Sequence, residues 1–423
     1  MKIAILGETL HAHVLATLFA EYGNDVFWCK EKIQQSTEMQ LFVDNTQDLD
    51  ISQRLGNLYA SLYLNNCTLL DLPLDIEVYF FCYNPAGLDS ACTALKALSQ
   101  KPIIHPKLMV NASTFGLHGT EKLKQILPHD DWVYFPDVSQ EGNAINSILS
   151  VKQVVVGAES TESKCKVLEI FRPFFPHERQ FLFMPILDAE FTKLSISGML
   201  ATRISYMNDL ASVAEKLGID IANVQQGMGS DSRIGSAYLS AGAGFGGENF
   251  SHDILTLSSE LFKNRTRSRL LQQVWDINEQ QKELLFRKLW RYYHSNLEGK
   301  IVAIWGAAFK ENTSSIHNSP IHAMLNALWA QGVIVQLHDP QALIEIEKYY
   351  GSREDLILMH NPYDAVKNAD ALCILTAWRQ YFSPDYKRLQ QEMNHPLILD
   401  GRNIYNPQYV KNQGFAYEGV GRS

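Results

Sequence analysis

"KIAILGETLHAHVLATLFAEYGNDVFWCK", residues 2–30, decides how the chain begins to fold. An apolar run ends at Gly7, an amphipathic stretch follows as far as Glu21, Gly23 breaks it, and a second apolar run ends at Lys30. That order is strand, glycine turn, helix, strand: a βαβ unit. Working outward, "VYFFCY" (78–83), "LMVNAS" (108–113) and "VVVGA" (154–158) read as further buried strands separated by helical segments. Together they predict an open, mostly parallel sheet closing near residue 185.

From Leu187 the period changes. Ile196, Met199, Leu200, Ile204, Met207, Leu210, Val213 and Leu217 recur at helical spacing, and "SRLLQQVWDINEQQKELLFRKLWRYYH" predicts one unbroken helix from Ser268 to His294. At "GKIVAIWGAAFK" (299–310) a strand and glycine turn begin again, with "VIVQLHDP", "ALCILTAW" and "LILDGRNIY" as later strands. The fold class is therefore α/β: two Rossmann-like parallel-sheet domains, 1–186 and 298–423, flanking a central helical domain, 187–297.

Composition narrows the function. The 423 residues exceed one ordinary core, and 46% hydrophobic with 20% charged residues is an ordinary soluble balance. A net charge of −9 argues against nucleic acid or an anionic membrane as partner, since both select basic surfaces. Cys29, Cys67, Cys82, Cys92, Cys165 and Cys373 never approach CxxC spacing, so neither a metal site nor a disulfide framework is expected, and a reducing cytoplasmic setting is. No run reaches the length of a membrane span.

"GAGFGGENFSHD" (242–253) crowds four glycines into six positions, as if a ligand lay against the backbone, yet offers no obvious nucleophile. This loop, "FPDVSQEGNAI", "EFTKLSISGMLATRISYMNDLASVAEKLG", "SDSRIGSAYLSAGAGFGG", "VWDINEQQK", "WGAAFKENTSSIHNSP" and "ILDGRNIYNP" occur in the order in which the UDP-glucose/GDP-mannose dehydrogenase family carries its motifs. The chain resembles that family over most of its length. The resemblance implies a homodimer that takes a nucleotide sugar, a UDP-sugar in first place. The sugar's C6 alcohol is oxidised to an acid through a cysteine thiohemiacetal, reducing two NAD⁺.

Residue by residue, the resemblance implies catalytic roles for Lys193, Asp253, Glu141 and Thr114, with Ser197 where the family has asparagine. On the substrate side it implies Tyr238, Leu239, Gly244, Phe245 and Gly246 in the loop, Arg233 reaching a neighbouring subunit's ligand, and the cations Lys310 and Arg402. The nucleophile position departs. Where the family loop has cysteine this chain has Asn249, whose amide cannot attack an aldehyde.

The cofactor side departs as well. A dinucleotide turn reads G-x-G-x-x-G, whereas "GETLHA" keeps Gly7 but has Thr9 and Ala12. Lys30 stands where a ribose-binding aspartate is expected; an ammonium accepts no hydrogen bond but can meet the 2′-phosphate of NADP. His252 and His317 replace a lysine and an arginine. NAD binding is thus expected to be weak or lost, with NADP possible. Three functions stay open at this point: a nucleotide-sugar binder without the four-electron oxidation, a divergent NAD(P)-dependent dehydrogenase, and a structural partner of an active homologue.

Overall fold

The computed structural model describes residues 1–30, 51, 54, 55, 57, 58, 63–102, 107–264 and 269–422. The chain gathers into two compact units, Met1–Ile196 and Ser197–Ser423.

The first unit is built on eight strands: β1 (Lys2–Leu6), β2 (Asp25–Cys29), β3 (Leu64–Cys67), β4 (Val78–Phe81), β5 (Leu108–Asn111), β6 (Asp131–Tyr134), β7 (Val154–Ala158) and β8 (Phe181–Met184). Their order across the sheet is β3-β2-β1-β4-β5-β6-β7-β8, parallel throughout except between β6 and β7. Alternate residues face opposite sides, and both sides are covered: Ile3, Ile5 and Phe80 enter one core, Ala4, Leu6 and Phe81 the other. That is why β1 and β4 read as unbroken apolar runs. β3, β6 and β8 are not among the runs read from the sequence; β3 carries Asn65 and Asn66, and β6 begins at Asp131. The sheet order reverses direction between β1 and β4, which opens a crevice above their carboxyl ends.

The helix Leu10–Glu21 starts where Thr9 caps it, the hydroxyl accepting from the Ala12 N–H. It ends before Gly23, whose φ of +80° an L side chain would resist.

In the second unit, six parallel strands run in the order β11-β10-β9-β12-β13-β14. These are β9 (Ile301–Trp305), β10 (Ile334–His338), β11 (Leu356–Leu358), β12 (Ala371–Ile374), β13 (Leu397–Asp400) and β14 (Ala416–Gly419). Three helices here begin with the same local signal, a capping side chain followed by proline: Ser319–Pro320, Asn361–Pro362 and Asn406–Pro407. The helical residues that precede this sheet include Glu248–Lys263, and the helix Ile186–Leu217, 32 residues long, begins in the first unit and ends in the second.

The helix expected to run unbroken from Ser268 to His294 is instead two, Leu270–Lys282 and Leu284–Tyr292; Ser268 lies outside the described residues. At the break, Arg287 Nη2 donates to the Gln280 carbonyl at 2.7 Å. The second helix then buries Leu285 and Leu289 in the core of the six-stranded sheet.

Candidate functional site

In the first unit the turn after β1 is set by Gly7, at φ +108°. A Cβ there would lie 2.0 Å from the Cys82 carbonyl oxygen, so only glycine fits. Its N–H donates to Cys29 O at the end of β2, and its carbonyl accepts from the Trp28 indole at 2.8 Å. Thr9 is turned inward: while capping the helix it also donates to Cys82 O at 3.3 Å. Ala12 is buried in the core, consistent with a position where only packing is at stake.

Above the carboxyl ends of β1, β2 and β4 opens a cavity of about 830 Å³, lined among others by Leu6, Cys29, Lys30, Thr68, Tyr83 and Asp89. Its place, beside the β1–β4 switch point, is where α/β sheets take ligands, and its size suits a nucleotide. Lys30 leans over the Trp28 ring, 3.9 Å from its centroid, and burial pushes its pKa down to about 7 against a smaller opposing pull from Glu8.

The Thr9 hydroxyl takes the Ala12 N–H, a donor at the helix N-terminus of the kind a pyrophosphate uses. The Lys30 ammonium offers a ribose no acceptor.

Elsewhere in this unit, Thr114 is buried, Glu141 and Lys193 are partly exposed, and each is carried on a different element: the loop after β5, the loop after β6, and the first third of the helix from Ile186. One residue that sequence reading passed over ties two of these together. Glu190, one turn before Lys193, accepts from His118 N, Thr120 N and Thr120 Oγ1 at 2.7–2.8 Å, clamping that helix to the loop that carries Thr114.

In the second unit the glycine-rich loop answers the question its composition raised. A Cβ on Gly246 would sit 2.7 Å from the Asn318 carbonyl oxygen, and one on Gly244, at φ +95°, would meet Asn278 Oδ1 at 3.0 Å. The glycines admit the protein's own chain. The loop is then held at almost every residue. Gly242 N donates to Asn208 Oδ1 and Ala243 N to Gly401 O. Phe245 N donates to Asn278 Oδ1, and Gln281 Nε2 donates to Gly242 O.

Arg402 completes this anchoring. Its Nε donates to Leu375 O, Nη1 to Gly244 O and Nη2 to Phe309 O, at 2.6, 3.1 and 3.2 Å. Arg402 thus staples the loop to the ends of β9 and β12. Lys282 acts similarly: buried, with burial lowering its pKa, it donates to Glu279 and to Asn318 Oδ1 at 2.6 Å. Asn208, Asn278, Gln281 and Lys282 were not expected as site residues. The signal was present in "NEQQK", which puts polar residues 278, 281 and 282 on one helix face.

Beyond the loop, Gly247 precedes the helix Glu248–Lys263, and Asn249 lies in its first turn. One turn on, Asp253 is fully buried and accepts a 2.6 Å bond from Ser197 Oγ, so these two predicted residues do come together. His252 lies beside them in sequence; burial holds its imidazole below the ordinary value. His317 is exposed, and its carbonyl receives Gly247 N–H at 2.8 Å. Lys310 lies 5.8 Å from the Phe309 ring centroid.

Adjacent Tyr238 and Leu239 part company. Tyr238 is at φ +58° and exposed, whereas Leu239 is 2% exposed in a small core with Met207 and Ile221. Phe245 is likewise core, packed on Phe250 and Trp275. Arg233 is 86% exposed and pairs with Asp231.

Comparison with known proteins now bears on this geometry. Residues 187–280 match the central domain of the UDP-glucose/GDP-mannose dehydrogenase family and residues 303–407 its UDP-binding domain. The UDP-glucose 6-dehydrogenase of Pseudomonas aeruginosa is 31% identical, over 100% of this chain and 98% of its own length. The chain belongs to the UDP-glucose/GDP-mannose dehydrogenase family. The Bacillus subtilis UDP-glucose 6-dehydrogenase TuaD is 29% identical over 100% of this chain and 93% of its own. In fold, the UDP-glucose dehydrogenase of Pyrobaculum islandicum superposes with a TM-score of 0.87 at 23% identity, covering 100% of this chain and 98% of that one. The family is one of nucleotide-sugar oxidoreductases that use NAD.

Among the described residues no three His, Cys, Asp or Glu side chains gather as a metal site, and no helix is long and apolar enough to cross a membrane.

Proposed function

We propose that this family member binds a nucleotide sugar, a UDP-sugar in first place, and does not carry out the cysteine-dependent four-electron oxidation. The observation that carries the reading is Asn249. It stands in the first turn of the helix Glu248–Lys263, at the position of the family's cysteine, directly after a glycine loop anchored by Asn208 and Asn278. The scaffold for binding is kept where the chemistry of thiohemiacetal formation is not. In this reading the nucleotide-sugar elements are the loop 238–246, Arg233, Lys310 and Arg402. The working division of the chain is 1–186, 187–297 and 298–423, as a cytoplasmic homodimer joined through its central helices.

Arg402 would then act by holding the loop as well as by its charge. Thr9 and Lys30 weaken NAD binding, and Lys30 leaves the cavity open to an adenosine 2′-phosphate. No step of this proposal runs through the cofactor.

A divergent dehydrogenase is the second reading, favoured by the buried Ser197–Asp253 bond and the retained Lys193. Those residues can hold a proton and stabilise an oxyanion without a cysteine. Parallel calorimetric titrations with UDP-sugars, GDP-sugars, NAD⁺ and NADP⁺, together with a steady-state assay for reduced cofactor, separate the readings. Sugar-nucleotide binding without turnover supports the first. Sustained NAD⁺ or NADP⁺ reduction overturns it in favour of the second, and no binding at all points to a structural partner.

A further inference from the structure

Two thiols face each other at the wall of the first unit's cavity. β2 and β3 are parallel neighbours whose register sets Cys29 opposite Cys67, the last residue of each strand. The two Sγ atoms are 3.2 Å apart. Neighbouring strands are about 4.8 Å apart, within the range of Cα separations that a disulfide spans, so the bond needs rotation of two side chains and little backbone movement.

Access is unequal. Cys29 lines the cavity but is only 6% exposed, while Cys67, beside the lining residue Thr68, is the more exposed of the two. The electrostatics follow the same asymmetry. The Cys29–Cys67 hydrogen bond is the leading cause of both shifts, lowering Cys67 and raising Cys29, while burial and Asp71 oppose the thiolate at each and Lys101 favours it. Cys67 is therefore the accessible attacking sulfur and Cys29 the buried resolving one.

We propose that Cys29 and Cys67 form a reversible dithiol–disulfide site in the cavity wall, oxidised by exchange with a small-molecule disulfide such as oxidised glutathione. The Cys67 thiolate attacks one sulfur of glutathione disulfide; that S–S bond breaks, a Cys67–glutathione bond forms, and the first glutathione leaves as a thiolate. Cys29 then attacks Cys67 Sγ, the mixed disulfide breaks, and the second glutathione leaves. The protein loses two electrons and two protons, and one glutathione disulfide becomes two thiols. Because Cys29 precedes Lys30, closing the pair also fixes the strand end that carries this lysine of the cavity wall.

The test uses the full chain in a series of glutathione redox buffers, quenched by alkylation and mapped by mass spectrometry. The expected result is a Cys29–Cys67 linked peptide, 2 Da lighter than the two thiols, with no glutathione retained on either; Cys29→Ser should trap glutathione on Cys67. The proposal is overturned if both remain alkylatable in buffers that glutathionylate the exposed Cys165, or if wild-type protein keeps glutathione on Cys67. ADP titrated into oxidised and reduced protein should differ in affinity at least threefold. This last arm rests on the nucleotide reading of the cavity: equal affinities overturn the link to the cavity, while the thiol map alone decides the disulfide.

Discussion

The two α/β regions open on the same device and diverge one strand later. Gly7 and Gly306 both follow a first strand at φ near +100°, and both would place a Cβ against the strand beyond, on Cys82 O or on Thr376. Both donate their N–H to the last residue of the second strand, Cys29 O or His338 O. The next residue differs. In the first region it is Lys30, which lines an open cavity. In the second it is Asp339, 2% exposed, whose carboxylate accepts from Ala307 N, Ala308 N and the Trp378 indole on one oxygen and from Gln341 N and Ala342 N on the other. An anion built into the chain occupies the donors that would otherwise await a phosphate. A glycine turn after a parallel strand is therefore not in itself a nucleotide site; the residue ending the second strand decides who uses its donors.

The filled side yields the largest expected effect. Asp339→Ala leaves five donors, most of them buried, without their acceptor and should destabilise the protein by more than about 3 kcal/mol, read from urea unfolding. A loss below about 1 kcal/mol would mean that the carboxylate is not what satisfies this turn, and the contrast would collapse.

Arg402→Ala comes next. Three donor bonds to carbonyls disappear, and roughly 2–3 kcal/mol of stability should go with them, accompanied by weaker UDP-sugar binding in calorimetry. Arg402→Lys should recover only part of either, because one ammonium cannot reach three carbonyls in the guanidinium's fork. Full recovery by lysine would show that charge, not the staple, is what matters.

The open side is sharpened by Thr9→Gly combined with Lys30→Asp. Loss of the cap should be mild, a few tenths of a kcal/mol when glycine replaces it. The freed Ala12 N–H and the new ribose acceptor should tighten NAD⁺ by about tenfold, or about 1.4 kcal/mol. Unchanged NAD⁺ affinity in the double variant would show that something other than these two residues limits the site.

The open side also carries a pH dependence. Lys30 is pushed down to about 7 by burial, while an unfolded lysine titrates near 10.4. Between these values the unfolded chain binds the extra proton, so stability should rise with pH across that window and the penalty should be complete below pH 7. Lys30→Met should flatten the slope of unfolding free energy between about pH 7 and 10. A wild-type slope equal to that of the variant would place the ammonium in water.

Much of the fold was legible along the chain because apolar period and glycine position are local properties. β1, β2, β4, β9 and β10 announce themselves as buried runs, and the Ser319–Pro320 start of a helix is a two-residue signal. β3 and β14 are four-residue strands with mixed polarity, identified by their neighbours and not by their own residues. The candidate site was legible to the same degree. Asn249 for cysteine, Thr9 for glycine and Lys30 for an acid are differences of residue type, and residue type fixes whether a group can attack, approach or accept.

What the residues alone determined was therefore the set of chemical capacities: a loop with no side chains to obstruct close approach, an amide where a thiol would react, a cation at the end of β2. What only the tertiary structure decided was where those capacities are directed. Gly246 gives way to the Asn318 carbonyl, Arg402 reaches three carbonyls, Arg287 reaches the Gln280 carbonyl, and Cys29 meets Cys67. Apart from proline, which lacks the N–H, every residue carries the same backbone donor and acceptor, so the sequence cannot rank them as partners. The fold ranks them, by which are buried and still in need of a hydrogen bond.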